Sequence, residues 1–136
     1  MADLLINTKD ALETWGVRMG DNFISAIQEP APLKEFVENK SRLNDGKEVD
    51  VSNPKLDERD VTLVFNIEGD TESRYLSNYK SFVAELQKGK VDINVPVLGT
   101  EIYHLIFKKS SSFSMNRQRT FSKLSVKFNE PNPNNR

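Results

Sequence analysis

The sequence contains no cysteine, and this absence excludes disulfide scaffolds, cysteine-ligated zinc, iron–sulfur clusters and thiol catalysis. Histidine is nearly missing as well, because His104 is the one histidine among 136 residues. It stands between Tyr103 and Leu105 without a neighbouring acid or nucleophile, so a structural role fits it better than that of a general base or metal ligand. The six glycines are scattered and form no phosphate-binding loop. The sequence therefore predicts no enzyme, no catalytic residue, no cofactor and no metal site.

Long hydrophobic runs are also lacking. Residues 1–10 have no basic opening and only three consecutive apolar residues, which is unlike a signal peptide or a membrane span. We therefore expect no membrane partner and synthesis in the cytoplasm. A length of 136 residues, with 37% hydrophobic and 29% charged residues, fits one globular domain.

Alternation of apolar and polar residues, typical of β-strands, recurs along the chain. It is clearest in RDVTLVFNIEG, where Val61, Leu63, Phe65 and Ile67 would share a buried face. It returns in KVDINVPV, EIYHLIFKK and TFSKLSVKF, and the serine-rich residues 110–112 are predicted to form a turn between the last two. The chain thus reads as mainly β.

The N-terminal part is less regular. Residues 4–6 predict a short strand, and the alternation over residues 15–19 predicts a second strand that ends at Gly20. Residues 23–27 fit either one turn of helix or another strand.

One long helix is predicted in GDTESRYLSNYKSFVAELQKGK, over about residues 71–88. Asp70 or Thr71 would cap its N-terminus, and Gly89 is a natural stop. An apolar stripe recurs at helical spacing and predicts packing against a sheet, although a partner-binding face would give the same pattern. The stripe consists of Tyr75, Tyr79, Phe82, Val83 and Leu86.

The predicted fold is a β-sandwich or small barrel with this one packed helix. A single domain would cover residues 1–128, and the polar residues 129–136 would form a flexible C-terminal tail. Residues 29–47 would form a projecting arm, although an ordinary hairpin is an equal alternative. The features behind the arm are Pro30, Pro32 and the Asp45-Gly46 turn signal.

Charge is unevenly distributed along the chain. Residues 1–100 hold 12 Lys and Arg against 18 Asp and Glu, whereas residues 101–136 hold 7 against 2. Basic residues among aromatics can bind single-stranded nucleic acid, but Phe128 shares its strand face with Leu124 and Val126, so no specific nucleic-acid binding is expected. The alternatives are a solvated surface or a surface for assembly. The candidate assembly residues are Lys108, Lys109, Arg117, Arg119, Asp57, Glu58, Asp60, Pro30 and Pro32.

The order of elements resembles that of the N-terminal domain of phage distal tail proteins and the related tail-tube fold. The likeness runs from the Asp45-Gly46 turn through Arg59, which opens the strand DVTLVFNIEG, to the helix YLSNYKSFVAELQKGK. It continues through VDINVPV and IYHLIFKK to TFSKLSVKFNEPNP, and INTKDALETWGVRMGD would match the first strand pair. The chain also resembles small tail-associated proteins of phages and prophages of Bacteroides-like bacteria.

This resemblance implies a structural protein of the virion tail, made in the bacterial host and without enzymatic activity. Its partners would be copies of itself in a six-fold ring around the tail channel, together with other tail proteins. Two alternatives stay open. One is a tail-terminator or head–tail joining protein, and the other is a monomeric β-sandwich module that binds a sugar or peptide.

Overall fold

The computed structural model describes residues 2–34, 37–40, 47–50 and 54–136. Most of the described elements are strands, which confirms the predicted mainly β class. In chain order the strands are β1 (Leu5–Ile6), β2 (Lys9–Asp10), β3 (Val17–Met19), β4 (Val37–Lys40), β5 (Lys47–Asp50), β6 (Arg59–Glu68), β7 (Lys90–Asn94), β8 (Tyr103–Met115) and β9 (Phe121–Glu130). The helices are α1 (Ala11–Trp15), α2 (Phe23–Gln28) and α3 (Glu72–Leu86).

Seven strands form one antiparallel sheet in the order β2-β1-β7-β8-β9-β6-β3, and β4 pairs separately with β5. The longest unbroken register joins β6 to β9, from Arg59 opposite Glu130 to Glu68 opposite Phe121. The predicted alternation is confirmed in both strands, because every second residue is buried in the core. The inward residues are Val61, Leu63, Phe65, Ile67, Leu124, Val126 and Phe128.

Helix α3 lies against this buried face. Its N-terminus is capped by the Thr71 hydroxyl, which accepts a hydrogen bond from the Arg74 amide at 3.1 Å. The chain leaves the helix through Gly89, whose φ of +100° favours glycine. The predicted helix and the core role of its stripe are both confirmed. Tyr75, Phe82 and Leu86 are buried, and Tyr79 and Val83 pack against the same core.

An aromatic cluster joins the helices to the sheet. The Phe82 ring lies 5.1 Å from that of Phe65 and 5.8 Å from that of Trp15, measured between centroids. Phe65 in turn contacts Phe23 at 5.4 Å and Phe128 at 6.2 Å. These tilted and edge-to-face contacts connect α1, α2 and α3 to β6 and β9.

The N-terminal part differs from its prediction. Trp15 was predicted to lie in a strand over residues 15–19, but it ends helix α1, and only Val17–Met19 is a strand. The Asp10 carboxylate explains the helix, because it accepts a hydrogen bond from the Leu12 amide at 3.0 Å and so caps the first turn. Gly16, with φ +64°, then ends it. Residues 23–27 lie in helix α2, so the helix is the correct one of the two alternatives left open for them.

The predicted turn at residues 110–112 is also wrong. These serines lie inside the 13-residue strand β8, which carries register shifts between Phe107 and Lys109 and again between Ser110 and Ser112. The turn occurs later, where Oδ1 of the Asn116 side chain accepts hydrogen bonds from the backbone amides of Thr120 and Phe121. The short polar side chain of Asn116 ends the strand because it accepts hydrogen bonds from nearby backbone amides. The serines lie where β8 accommodates two bulges.

Two further segments relate to predicted boundaries. Within residues 29–47, strand β4 pairs antiparallel with β5, and the Asp45-Gly46 signal lies outside the described residues. At the other end β9 continues to Glu130, so the predicted tail boundary at residue 129 is too early. The reason is that Glu130 is fully buried opposite Arg59.

Replacing Phe82 with Ala should lower the free energy of unfolding by about 3–5 kcal/mol, because a fully buried ring between Trp15 and Phe65 is lost. Leu76→Ala is the matched control, since Leu76 is on the same helix and 48% exposed. Denaturant melts of both variants measure the difference. Equal losses in the two variants would contradict the buried position of Phe82.

Candidate assembly surface

Strand β8 leaves one long edge without a partner in the described part of the chain. Strand β7 pairs only with its first residues, from Tyr103 to Ile106, while β9 covers its other side as far as Met115. Residues 108–115 are exposed throughout, and we call them the β8 edge. Each such edge presents backbone N–H and C=O groups that another strand can satisfy.

Apolar side chains border the β8 edge on the helix side. Phe113 and Met115 are 45% and 47% exposed, and the Phe113 ring lies 5.3 Å from the Tyr79 ring. Leu76, one helical turn before Tyr79, is exposed to a similar extent. We call these four residues the edge patch. Clustered exposed apolar side chains beside an open strand edge are typical of a protein–protein contact.

The structure places two of the predicted assembly residues next to each other. Lys108 Nζ lies 3.4 Å from Asp60 Oδ1, and Asn129 donates a hydrogen bond to the same oxygen at 3.1 Å. The Asn129 hydrogen bond, followed by that of Lys108, holds the pKa of Asp60 below its ordinary value. Lys108 and Asp60 therefore already have partners within one copy. They contribute little to a separate acidic surface or a separate basic surface that could bind a neighbouring copy.

Four of the other charged candidates lie at opposite ends of the sheet, and the fifth, Lys109, lies within β8 opposite Lys127. Arg117 and Arg119 stand in the turn between β8 and β9, whereas Asp57 and Glu58 precede β6. The β6–β9 register separates these two ends by nine residue steps, or about 30 Å at the usual rise of a strand.

The two prolines lie beside the acidic end. The amide of Asp57 donates a hydrogen bond to the carbonyl of Pro32 at 2.8 Å. Pro30 and Pro32 are both exposed. The acidic residues and the prolines therefore share one region of the surface, away from Arg117 and Arg119.

A buried ionic cluster was missed at the sequence level. The Arg59 side chain is 4% exposed and pairs with the fully buried Glu130. Arg136 donates two further hydrogen bonds to the same carboxylate, at 3.0 and 2.9 Å. Arg59 also donates to the backbone carbonyls of Glu29 and Ile27. Nothing in the local sequence signals this cluster, because it depends on the register that places Arg59 opposite Glu130.

The cluster fixes the charge of its carboxylate. Burial alone would raise the pKa of Glu130, but the hydrogen bonds and charges of Arg136 and Arg59 outweigh it and leave that pKa below its ordinary value. The Tyr103 ring covers the cluster, with the Arg136 guanidinium 4.8 Å from its centroid. Burial raises the pKa of the Tyr103 hydroxyl, and the nearby Glu101 adds to this effect.

His104 has a partner that the sequence did not reveal. Its Nδ1 lies 2.9 Å from Oδ1 of Asp92, which faces it directly across β7 and β8. The pair adjoins an open, largely apolar groove of about 530 Å³. The groove is lined by Leu5, Thr8, Asp92, Asn94, Pro96, Gly99, Thr100 and Ile102.

Among the residues that the structure describes, no three His, Asp or Glu side chains are grouped to hold a metal ion. No helix in the same residues is both long and apolar enough to cross a membrane.

Comparison with known proteins found a likeness of fold. No family model matches the sequence, and no curated protein matches it either. The structure is similar to the crystal structure of the SPP1 Dit protein (gp 19.1), described as a paradigm of the hub adsorption apparatus in phages that infect Gram-positive bacteria. The TM-score is 0.59 at 15% identity, over 96% of this chain and 50% of the Dit chain.

This chain has a phage distal-tail-like fold. The similarity confirms the fold expected from the order of strands and helix. The chain spans half the length of the Dit chain.

Replacing Glu130 with Gln should lower stability by about 3–5 kcal/mol at pH 7, because two guanidinium groups lose their buried counter-charge. The folded-state pKa of Glu130 is lowered, so its contribution is present above the unfolded pKa and is lost as pH falls through the folded value. The gap between wild type and variant should therefore shrink below about pH 4. Urea melts across pH measure it, with the exposed Glu58→Gln as control. A gap that does not change with pH would contradict this account.

Proposed function

We propose that this protein is a non-enzymatic structural component of a phage or prophage tail, which assembles as a six-fold ring around the tail channel at or near its distal end. The observation that carries the proposal is the β8 edge, with its apolar edge patch, on a distal-tail-like fold. Its partners are copies of itself and other tail proteins, and its place is the virion tail.

The β8 edge supports assembly on physical grounds. The unpaired backbone groups of residues 108–115 form hydrogen bonds to water in a single copy, so leaving them exposed costs little free energy. A second strand would pair with these groups and bury Phe113 and Met115 at the same time. In a ring, each copy presents two different surfaces, so the β8 edge would meet another part of the next copy. Lys108 and Lys109 on this edge disfavour indiscriminate pairing with unrelated strands.

The remaining charges suit a head-to-tail arrangement. Arg117 and Arg119 lie at one end of the sheet, and Asp57 and Glu58 lie at the other beside Pro30 and Pro32. Opposite charges on opposite ends can meet between neighbouring copies. Such exposed pairs would raise the rate of association more than the stability of the complex. At physiological ionic strength salt would screen them over about 8 Å.

One observation favours a second candidate. The apolar groove between Leu5 and Ile102 has the size of a small-ligand site, which suits a monomeric module that binds a sugar or peptide. A tail-terminator or head–tail joining protein would share the ring and differ only in its position. Oligomeric state separates the ring from the monomeric module.

Phe113→Lys should abolish or strongly weaken oligomers, because it places a charge in the edge patch without disturbing the core. Native mass spectrometry at high protein concentration measures the species, with six copies expected for the wild type. Leu12→Lys is the matched control, since Leu12 is 40% exposed on α1, away from β8.

A wild type that stays monomeric at every concentration would contradict the ring and favour the binding module. Equal loss of oligomers in Phe113→Lys and Leu12→Lys would contradict the role of the β8 edge. Melting temperatures of both variants confirm that each is folded.

A further inference from the structure

The buried ionic cluster connects two parts of the chain that no strand pairing joins. One is the segment of residues 131–136, which contains Arg136 and which we call the C-terminal segment. The other we call the arm base, residues 29–34 and 54–57, which flanks the strands β4 and β5. The cluster sits between them because Glu130 binds Arg136 on one side and Arg59 on the other.

The arm base is a narrow two-stranded contact. The Lys34 amide donates to the Lys55 carbonyl at 2.8 Å, and the Asp57 amide donates to the Pro32 carbonyl at 2.8 Å. Leu33 forms an isolated bridge opposite Leu56, and both of these leucines are exposed. A contact with so little buried apolar surface depends on what holds its ends.

Arg59 holds one of those ends. Its guanidinium donates to the carbonyl of Ile27 at 2.8 Å and to the carbonyl of Glu29, where α2 ends and the arm base begins. A cation suits this position because the last carbonyls of a helix have no partner within it. The orientation of Arg59 is set in turn by Glu130.

Arg136 is the most exposed member of the cluster. Its side chain is 27% exposed, whereas those of Arg59 and Glu130 are 4% and 0% exposed. Glu130 Oε2 accepts its hydrogen bond from Arg136 alone, so loss of Arg136 would leave a buried carboxylate oxygen without a partner among the described residues. Such an oxygen admits water or shifts, and either change alters the ion pair that Glu130 forms with Arg59 through Oε1.

We propose that the C-terminal segment is a releasable clamp, in which Arg136 on Glu130 fixes Arg59 and thereby holds the arm base in place. Asn132 and Asn134 line a polar cleft together with Lys34, Lys55 and Leu56, so the segment also lies across from the arm base directly. The coupling is reciprocal: a partner chain that draws the segment away loosens the arm base, and one that fixes the arm base favours the docked segment.

Amide hydrogen exchange of the full chain, followed by NMR, tests the clamp. Arg136→Ala should accelerate exchange at the Lys34 and Asp57 amides by about tenfold or more, while the amide of Leu63 in the centre of β6 changes far less. Arg136→Lys should give an intermediate effect, because lysine keeps the charge but cannot span both carboxylate oxygens. Arg117→Ala, an arginine removed from the far turn, should change none of the three.

Unchanged exchange at Lys34 and Asp57 in Arg136→Ala would overturn the clamp. An equal acceleration at Leu63 would overturn it too, because the arginine would then contribute only to global stability. All variants are measured at a protein concentration where the chain is monomeric, so both outcomes are separate from any failure of the proposed ring.

Discussion

The ten-residue pairing of β6 with β9 is the constraint on which the rest of the structure depends. It aligns the inward residues of the two strands beneath α3, so that Phe65 and Phe128 enter one aromatic cluster with Phe82. It also places Arg59 opposite Glu130 at one end of the sheet and brings the turn with Arg117 to the other. A slip of one residue would turn the apolar faces outward and break the buried ion pair together. The core and the ionic cluster therefore specify the same register.

The same pairing explains why one edge stays open. β9 lies between β6 and β8, and β8 extends well beyond the short β7 on its other side. The protein thus combines a rigid centre, closed by three helices, with an exposed strand edge that has apolar side chains beside it. The role proposed above, in which the protein folds alone and then joins identical copies, needs both features. The arm base and the C-terminal segment lie at the opposite end of β9, where the ionic cluster joins them.

Much of the fold was predictable because its signals are local. Alternation identified the faces of β6 and β9, and the spacing from Tyr75 to Leu86 identified the packed helix. The wrong or missing predictions concern places where a single side chain or a long-range pairing determines the local structure. Asp10 converts part of an apparent strand into helix α1, and Asn116 moves a turn that serines suggested. The partners of Glu130 could not be predicted, since its two arginines come from positions 59 and 136.

The central claim is that the β8 edge accepts a strand from a neighbouring copy. Amide exchange over residues 108–115, measured as a function of protein concentration, tests it most directly. For the amides of this segment that point away from β9, we expect exchange to be fast in dilute solution and to slow progressively as copies associate, while amides of β6 stay protected throughout. Association with no gain of protection along residues 108–115, or protection that does not depend on concentration, would contradict the claim.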